Sequence, residues 1–182
     1  MLKRIYTIGH STRTLLEFVG LLREHDVVRL ADIRRFPGSR RHPHFSSEAL
    51  AQSLPGAGII YEHFADLGGR RKPMKGSPNG AWESDQFRGY ADHMGTSVFH
   101  DAIDRLLDPP PTGNRQPLTA IMCAEAVPWR CHRNLTSDEL VRREIEVIHI
   151  LGPGSWRPHE LNKMARLEPG RVIYPPEQGQ MF

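Results

Sequence analysis

Cysteine, lysine and long apolar runs are all scarce in this chain. Only two of its 182 residues are cysteine, Cys123 and Cys131. That is too few for a disulfide-stapled secreted scaffold and points to thiols in a reducing compartment. No stretch is long and apolar enough to span a bilayer, so no membrane partner is expected. Met1-Leu2-Lys3-Arg4-Ile5-Tyr6 passes directly into strand-like residues without an apolar leader, and a cytoplasmic location is expected. Lysine occurs at positions 3, 72, 75 and 163 only, so arginine supplies nearly all of the 24 basic residues. Net charge is +3, too small by itself to indicate a polyanionic partner. Arginine, however, is the residue suited to forked contacts with phosphate or carboxylate. Arg34, Arg35, Arg40 and Arg41 with His42 and His44 form an acid-free basic stretch, and Arg70, Arg71, Lys72 and Lys75 form a second. Both carry turn residues and read as loops.

What remains is the composition of an ordinary globular protein: 38% apolar and 25% charged residues, at a length that suits one domain. Strand-like and helix-like segments alternate. Ile5–Ile8 reads as a strand, and Thr14 with Glu17 makes a capping box that opens a helix carrying Leu15, Phe18, Val19 and Leu22. Val27–Ala31, Ile59–Tyr61, Leu118–Met122 and Ile145–Ile150 read as four further strands. Ser46 or Ser47 caps a short helix, the spacing from Ser84 to Leu107 predicts helix with a break at Gly95, and a last helix is expected over Cys131–Arg143. The segment from Ala65 to Glu83 lacks apolar periodicity, and so long a loop in a compact domain is a functional candidate. The pattern predicts an α/β fold. It would be a single domain with a mostly parallel central sheet of about five strands and helices on both faces. Residues 1–151 form the core, and 152–182 a C-terminal extension packing on it.

In such sheets ligands bind beyond the carboxyl ends of the strands. The densest chemistry there is Cys123-Ala124-Glu125, followed by Cys131-His132-Arg133 at the start of a helix. A helix N-terminus favours anions and lowers the pKa of a nearby thiol. Cys123 or Cys131 is thus a candidate nucleophile, His132 or His10 its base, and Glu125 the group that orients the base. The rival reading of Cys123 is a small buried residue at a strand end. A phosphatase loop is not matched, because Trp129 stands where its arginine would be. Ser11, Asp32, Arg34, Ser39, Gly68, Gly69 and Arg133 are candidate ligand-binding residues, with an Asp32–Arg34 ion pair as the structural alternative. No cofactor is predicted. Cys123, Cys131, His132, His10 and His149 are all metal-ligand types, but their spacing does not suit a structural zinc site, and a metal held from separate loops stays open.

Thr7-Ile8-Gly9-His10-Ser11-Thr12, Asp32-Ile33-Arg34-Arg35-Phe36-Pro37-Gly38-Ser39, Leu67-Gly68-Gly69, Cys123-Ala124-Glu125 with Cys131-His132-Arg133, and Ile173-Tyr174-Pro175-Pro176 together resemble the family catalogued as domain of unknown function 488. The resemblance spans nearly the whole chain. It implies an α/β fold of about this size and brings no reaction with it, so the chemistry rests on the residues. They point to an enzyme, a cysteine-dependent hydrolase or transferase, that binds a phosphate-bearing ligand such as a nucleotide or nucleic acid. The alternatives are a non-catalytic nucleic-acid-binding module, stacking bases on Tyr61, Phe36 or Trp82, and a thiol or metal sensor.

Overall fold

A computed structural model describes residues 3–38, 40–109 and 117–177. Its central sheet has the order β3-β2-β4-β1-β5-β6. The strands are β1 (Arg4–Gly9), β2 (Arg29–Asp32), β3 (Ile60–His63), β4 (Thr119–Cys123), β5 (Glu146–Gly152) and β6 (Ser155–Pro158). The first five are mutually parallel, and β6 adds antiparallel to β5. This is a single α/β domain with one strand more than the sequence suggested. Every residue of β6 is exposed, so it carries none of the apolar alternation by which a strand is recognised.

Five helices cover the two faces: α1 (Leu15–Glu24), α2 (Ser47–Ser53), α3 (Asp85–Met94), α4 (Ser97–Leu107) and α5 (Arg133–Arg142). The capping box forms as expected, with Thr14 accepting from Glu17 N and Glu17 bonding back to Thr14 N. Ser46, not Ser47, caps α2. Gly95 separates α3 from α4. Side chains alternate across each strand, and this divides the core in two. Tyr6, Ile8, Leu30, Ala120, Met122, Ile148 and Ile150 meet α1 and α2. Ile5, Ala31, Ile121 and Val147 meet α3, α4 and α5. By the same alternation Thr7, Cys123 and His149 lie on the α5 face, while Asp32 lies on the α1 face.

Beyond β6 the chain forms a hairpin of β7 (Arg166–Glu168) and β8 (Arg171–Ile173). Val172 and the fully buried Tyr174 enter the α5-side core. The long loop after β3 is held by Asp92 of α3, whose carboxylate accepts from Met74 N, Ser77 Oγ and Asn79 Nδ2. Asn79 Oδ1 in turn accepts from Tyr174 N at 2.9 Å. Among the described residues, no helix is long and apolar enough to cross a membrane.

Candidate functional site

The ends of β2 and β4, the turn before α5 and the loop through Gly69 surround a pocket of about 320 Å³. Cys123, Cys131 and His132 line it together with Tyr90, Phe87 and Phe36. The exposed Arg35, Arg70 and Arg130 also line it, with Glu125 the one acidic residue among them. Arg70 adopts a left-handed backbone, φ 59°, a conformation that costs an L residue about 1–2 kcal/mol.

At the inner end, His132 Nδ1 lies 3.7 Å from Cys131 Sγ and 3.9 Å from Cys123 Sγ. The three atoms lie within 4.8 Å of one another, so they form a trio that could hold a metal ion. His132 Nε2 is 2.9 Å from Ile33 O. A carbonyl only accepts, so Nε2 carries a proton that it donates to Ile33 O, while Nδ1 faces the two sulfurs. Gly69 lets the ring lie there, because a Cβ at Gly69 would fall 2.9 Å from Nδ1. The two thiols are driven apart in acidity. A hydrogen bond to Cys131, together with burial, pushes the Cys123 thiol well up. Burial alone would raise Cys131 too, but the Cys123 bond, the His132 ring and the Arg133 guanidinium outweigh it and hold Cys131 well below the ordinary thiol range. Arg133 N, at the N-terminus of α5, donates to Cys131 Sγ at 3.4 Å, consistent with the positive potential of a helix start.

The family model described as "Domain of unknown function DUF488" matches residues 14–140, well over half of the chain. The chain belongs to the DUF488 family. No curated protein and no solved structure matches it. Most of the candidate residues of this DUF488 chain fall within the matched span, and His10 and Ser11 lie before it.

Not all of the expected residues meet. Cys123, Cys131, His132, Gly69, Glu125 and Arg34 line the pocket. The Glu125 carboxylate is exposed and bonds no histidine among the described residues, so it does not orient the base. Its backbone oxygen instead accepts from Arg133 Nη2 at 2.5 Å. His10 is turned away from the sulfurs by strand alternation and stacks on Phe45. Its Nδ1 bonds Ser11 O at 2.9 Å and its Nε2 faces Arg34 Nη1 at 3.3 Å, so both ring nitrogens are engaged and His10 is not the thiol's base. Arg34 is committed to the ion pair: Nε and Nη2 donate to Asp32 at 2.8 and 2.5 Å, and Nη2 also to Phe45 O. Asp32 is fully buried beneath Tyr61, which donates to it, and cannot touch a ligand. Ser11 serves a turn with φ 48°. Gly68 gives Arg35 room, since a Cβ there would lie 2.6 Å from Arg35 Cα. Arg133 is wholly buried, so it acts on Cys131 rather than on a ligand. Ser39 lies outside the described residues.

Sequence reasoning missed a buried chain of hydrogen bonds behind the trio. Arg133 Nη1 donates to Thr7 Oγ1 at 3.3 Å, Thr7 Oγ1 meets His149 Nδ1 at 2.7 Å, and His149 Nε2 meets His159 Nδ1 at 2.9 Å. His159 Nε2 then reaches Asp138 Oδ1 at 2.8 Å, and Tyr174 donates to Asp138 Oδ2 at 2.7 Å. The direction of the chain follows from its ends. Thr7 already accepts from Arg133, so its own proton goes to His149 Nδ1; His149 then donates to His159, and His159 to the carboxylate. A buried cation and a buried anion are thereby joined through one hydroxyl and two imidazoles.

Burial holds His149 neutral, with its pKa lowered to about 3, and lowers that of His10 to about 4. In the unfolded chain both titrate near 6.5. Below that pH the unfolded state takes up protons that the folded state does not, so stability is full above about 6.5 and falls as pH drops toward 4. Each histidine contributes a slope of up to about 1.4 kcal/mol per pH unit. Urea unfolding at pH 7 and pH 5 measures this. Equal midpoints would show that neither ring is held neutral.

Proposed function

We propose that this DUF488 chain is a cytoplasmic enzyme, a hydrolase or transferase, that binds a phosphate-bearing ligand at the carboxyl edge of its sheet and reacts with it at Cys123, Cys131 and His132. A nucleotide or a nucleic-acid segment is the class of ligand expected. One observation carries the reading: the two sulfurs and the imidazole sit at the floor of a pocket lined by Arg35, Arg70 and Arg130 with a single acid beside them. Arginine forks on an exposed rim bind phosphate oxygens, and a thiolate is both a nucleophile and a metal ligand, so anion capture and chemistry share one place. A reducing compartment keeps the two sulfurs available.

Thermal-shift titration with inorganic phosphate and with a nucleoside monophosphate, at low salt, tests the binding. The wild-type protein is expected to be stabilised by both. Arg70→Ala and Arg130→Ala each weaken the effect about tenfold, the loss of one charge-assisted contact. Both arginines are exposed, so folding is not at stake. An absence of stabilisation in the wild-type protein would defeat the proposal.

A second reading, nucleic-acid binding without catalysis, is favoured by Phe36. This ring is 64% exposed and the Arg35 guanidinium lies 5.4 Å from its centroid, a cation and a stacking face side by side at the pocket mouth. It predicts affinity for single strands that falls steeply with salt. Tyr61 and Trp82 are unsuited to stacking: the first bonds Asp32 and the second packs on Phe87.

A further inference from the structure

The inference here rests on the reading of the trio as the reacting centre, and it supplies that centre with a cofactor. We propose that Cys123, Cys131 and His132 hold one zinc-class divalent cation, with a fourth coordination position open to the arginine-lined pocket.

Donor chemistry selects the ion. Two sulfurs and an imidazole nitrogen suit zinc and its borderline-soft neighbours, whereas magnesium and calcium require oxygen ligands. The spacing of the donors agrees. A tetrahedral zinc with bonds of about 2.3 Å to sulfur and about 2.0–2.1 Å to nitrogen has sulfur–nitrogen edges of about 3.6 Å and sulfur–sulfur edges of about 3.8 Å. The sulfur–nitrogen separations here are 3.7 and 3.9 Å, and all three atoms lie within 4.8 Å. Little movement is needed to close them on an ion.

The outer contacts are those of a metal site. A metal-bound histidine donates its other ring N–H to a fixed acceptor, and His132 Nε2 does so to Ile33 O at 2.9 Å. Cys131 Sγ accepts the backbone N–H of Arg133. The seven residues between the cysteines, which break the usual zinc-finger spacing, are immaterial here. One sulfur comes from the end of β4 and the other from the turn before α5, and the sheet brings them together.

Three protein ligands with one place free mark a catalytic rather than a structural zinc site. Among the described residues no fourth side chain joins the trio: His10 is bound to Arg34 and Ser11, and His149 to Thr7 and His159. Two thiolates would neutralise the dication. Arg133 behind and the rim arginines in front leave the surroundings positive, so the open position suits a phosphate oxygen or a water.

The full chain, freed of metal by a chelator under reducing conditions, is titrated with cobalt(II) and separately with zinc, and metal content is measured after desalting. The expected result is one equivalent bound, with a sulfur-to-cobalt charge-transfer band and the intense visible bands of a tetrahedral site. Cys131→Ser and Cys123→Ser, each checked for an intact thermal transition, are expected to weaken binding by more than about 100-fold, beyond the loss of an outer-shell partner. Glu160→Gln, at an exposed position away from the pocket lining, is expected to bind as the wild type does. Absence of the cobalt bands in the wild-type protein, or zinc binding unchanged in both cysteine variants, overturns the proposal. Inorganic phosphate then separates the two readings. Stabilisation by phosphate in a protein that binds no metal leaves the anion pocket standing and removes the cation; metal binding without any phosphate effect retains the cation and removes the anion ligand.

Discussion

Replacing Asp138 by alanine is expected to cost about 3–5 kcal/mol, since each buried donor left without its acceptor costs about 1–3 kcal/mol, and to lower the melting temperature by roughly 10 °C or more for a domain of this size. Asp138 is completely buried, in the middle of α5. Its two oxygens accept from His159 Nε2, Asn162 N and Tyr174 Oη, so alanine orphans three donors at once. The damage extends further, because the proton order of the chain back to Arg133 is anchored at this carboxylate. Arg133 is itself buried, bonds no carboxylate among the described residues, and has an Nε without a partner. Asp138→Asn is expected to fall between alanine and wild type: it keeps one acceptor oxygen but must present an amide N–H group to one of the donors. Urea unfolding of the three proteins measures the series. A loss below about 1 kcal/mol for the alanine variant would mean that the relay contributes little to holding α5 and the C-terminal hairpin on the sheet.

The sequence disclosed the parts of the molecule governed by period and by caps. Thr14 and Glu17 marked a helix start that formed as expected, Gly95 marked a break, and the short apolar run from Ile5 to Ile8 marked a strand, which is buried on both faces. Cys123, Cys131 and His132 were legible as neighbours because parallel strands put their ends on one edge. The same alternation should have parted His10 and Asp32 from Cys123, since these residues point to opposite faces. Other features leave no such mark. Arg133, Ser137 and Asp138 look like an ordinary solvated helix face, and only the tertiary contacts with His149, His159 and Tyr174 bury them. A satisfied polar interior and a wet surface are written in the same residues. One hint was available: α5 is polar on nearly every side, and such a helix is either exposed or bonded within the protein. Likewise β6, exposed throughout, offered no apolar signal to set it apart from the turn that precedes it.

Arg34 gives the other large effect. Arg34→Met alone, or Asp32→Asn alone, is expected to destabilise the protein by about 3–5 kcal/mol, while the double variant recovers most of that loss. The reason is burial: Asp32 is inaccessible and Arg34 is 7% exposed, so removing either charge leaves the other in a medium that solvates it poorly. Arg34→Met also releases Phe45 O and His10 Nε2, and Asp32→Asn deprives Tyr61 of its charged acceptor. With both charges gone neither desolvation cost remains, and the coupling energy in a double-mutant cycle is expected to reach about 4 kcal/mol or more, within the range for close charge pairs. The Asp32–Arg34 pair bonds to Phe45 and His10 on the opposite face of the sheet from the sulfur trio, so phosphate stabilisation measured relative to each variant's own melting point is expected to persist in the double variant. This separates the two roles open to Arg34. If the double variant folds well and phosphate no longer stabilises it, Arg34 grips the ligand directly, in addition to holding Asp32. If each single loss is below about 1 kcal/mol, the pair is not what fixes the end of β2 beside the pocket.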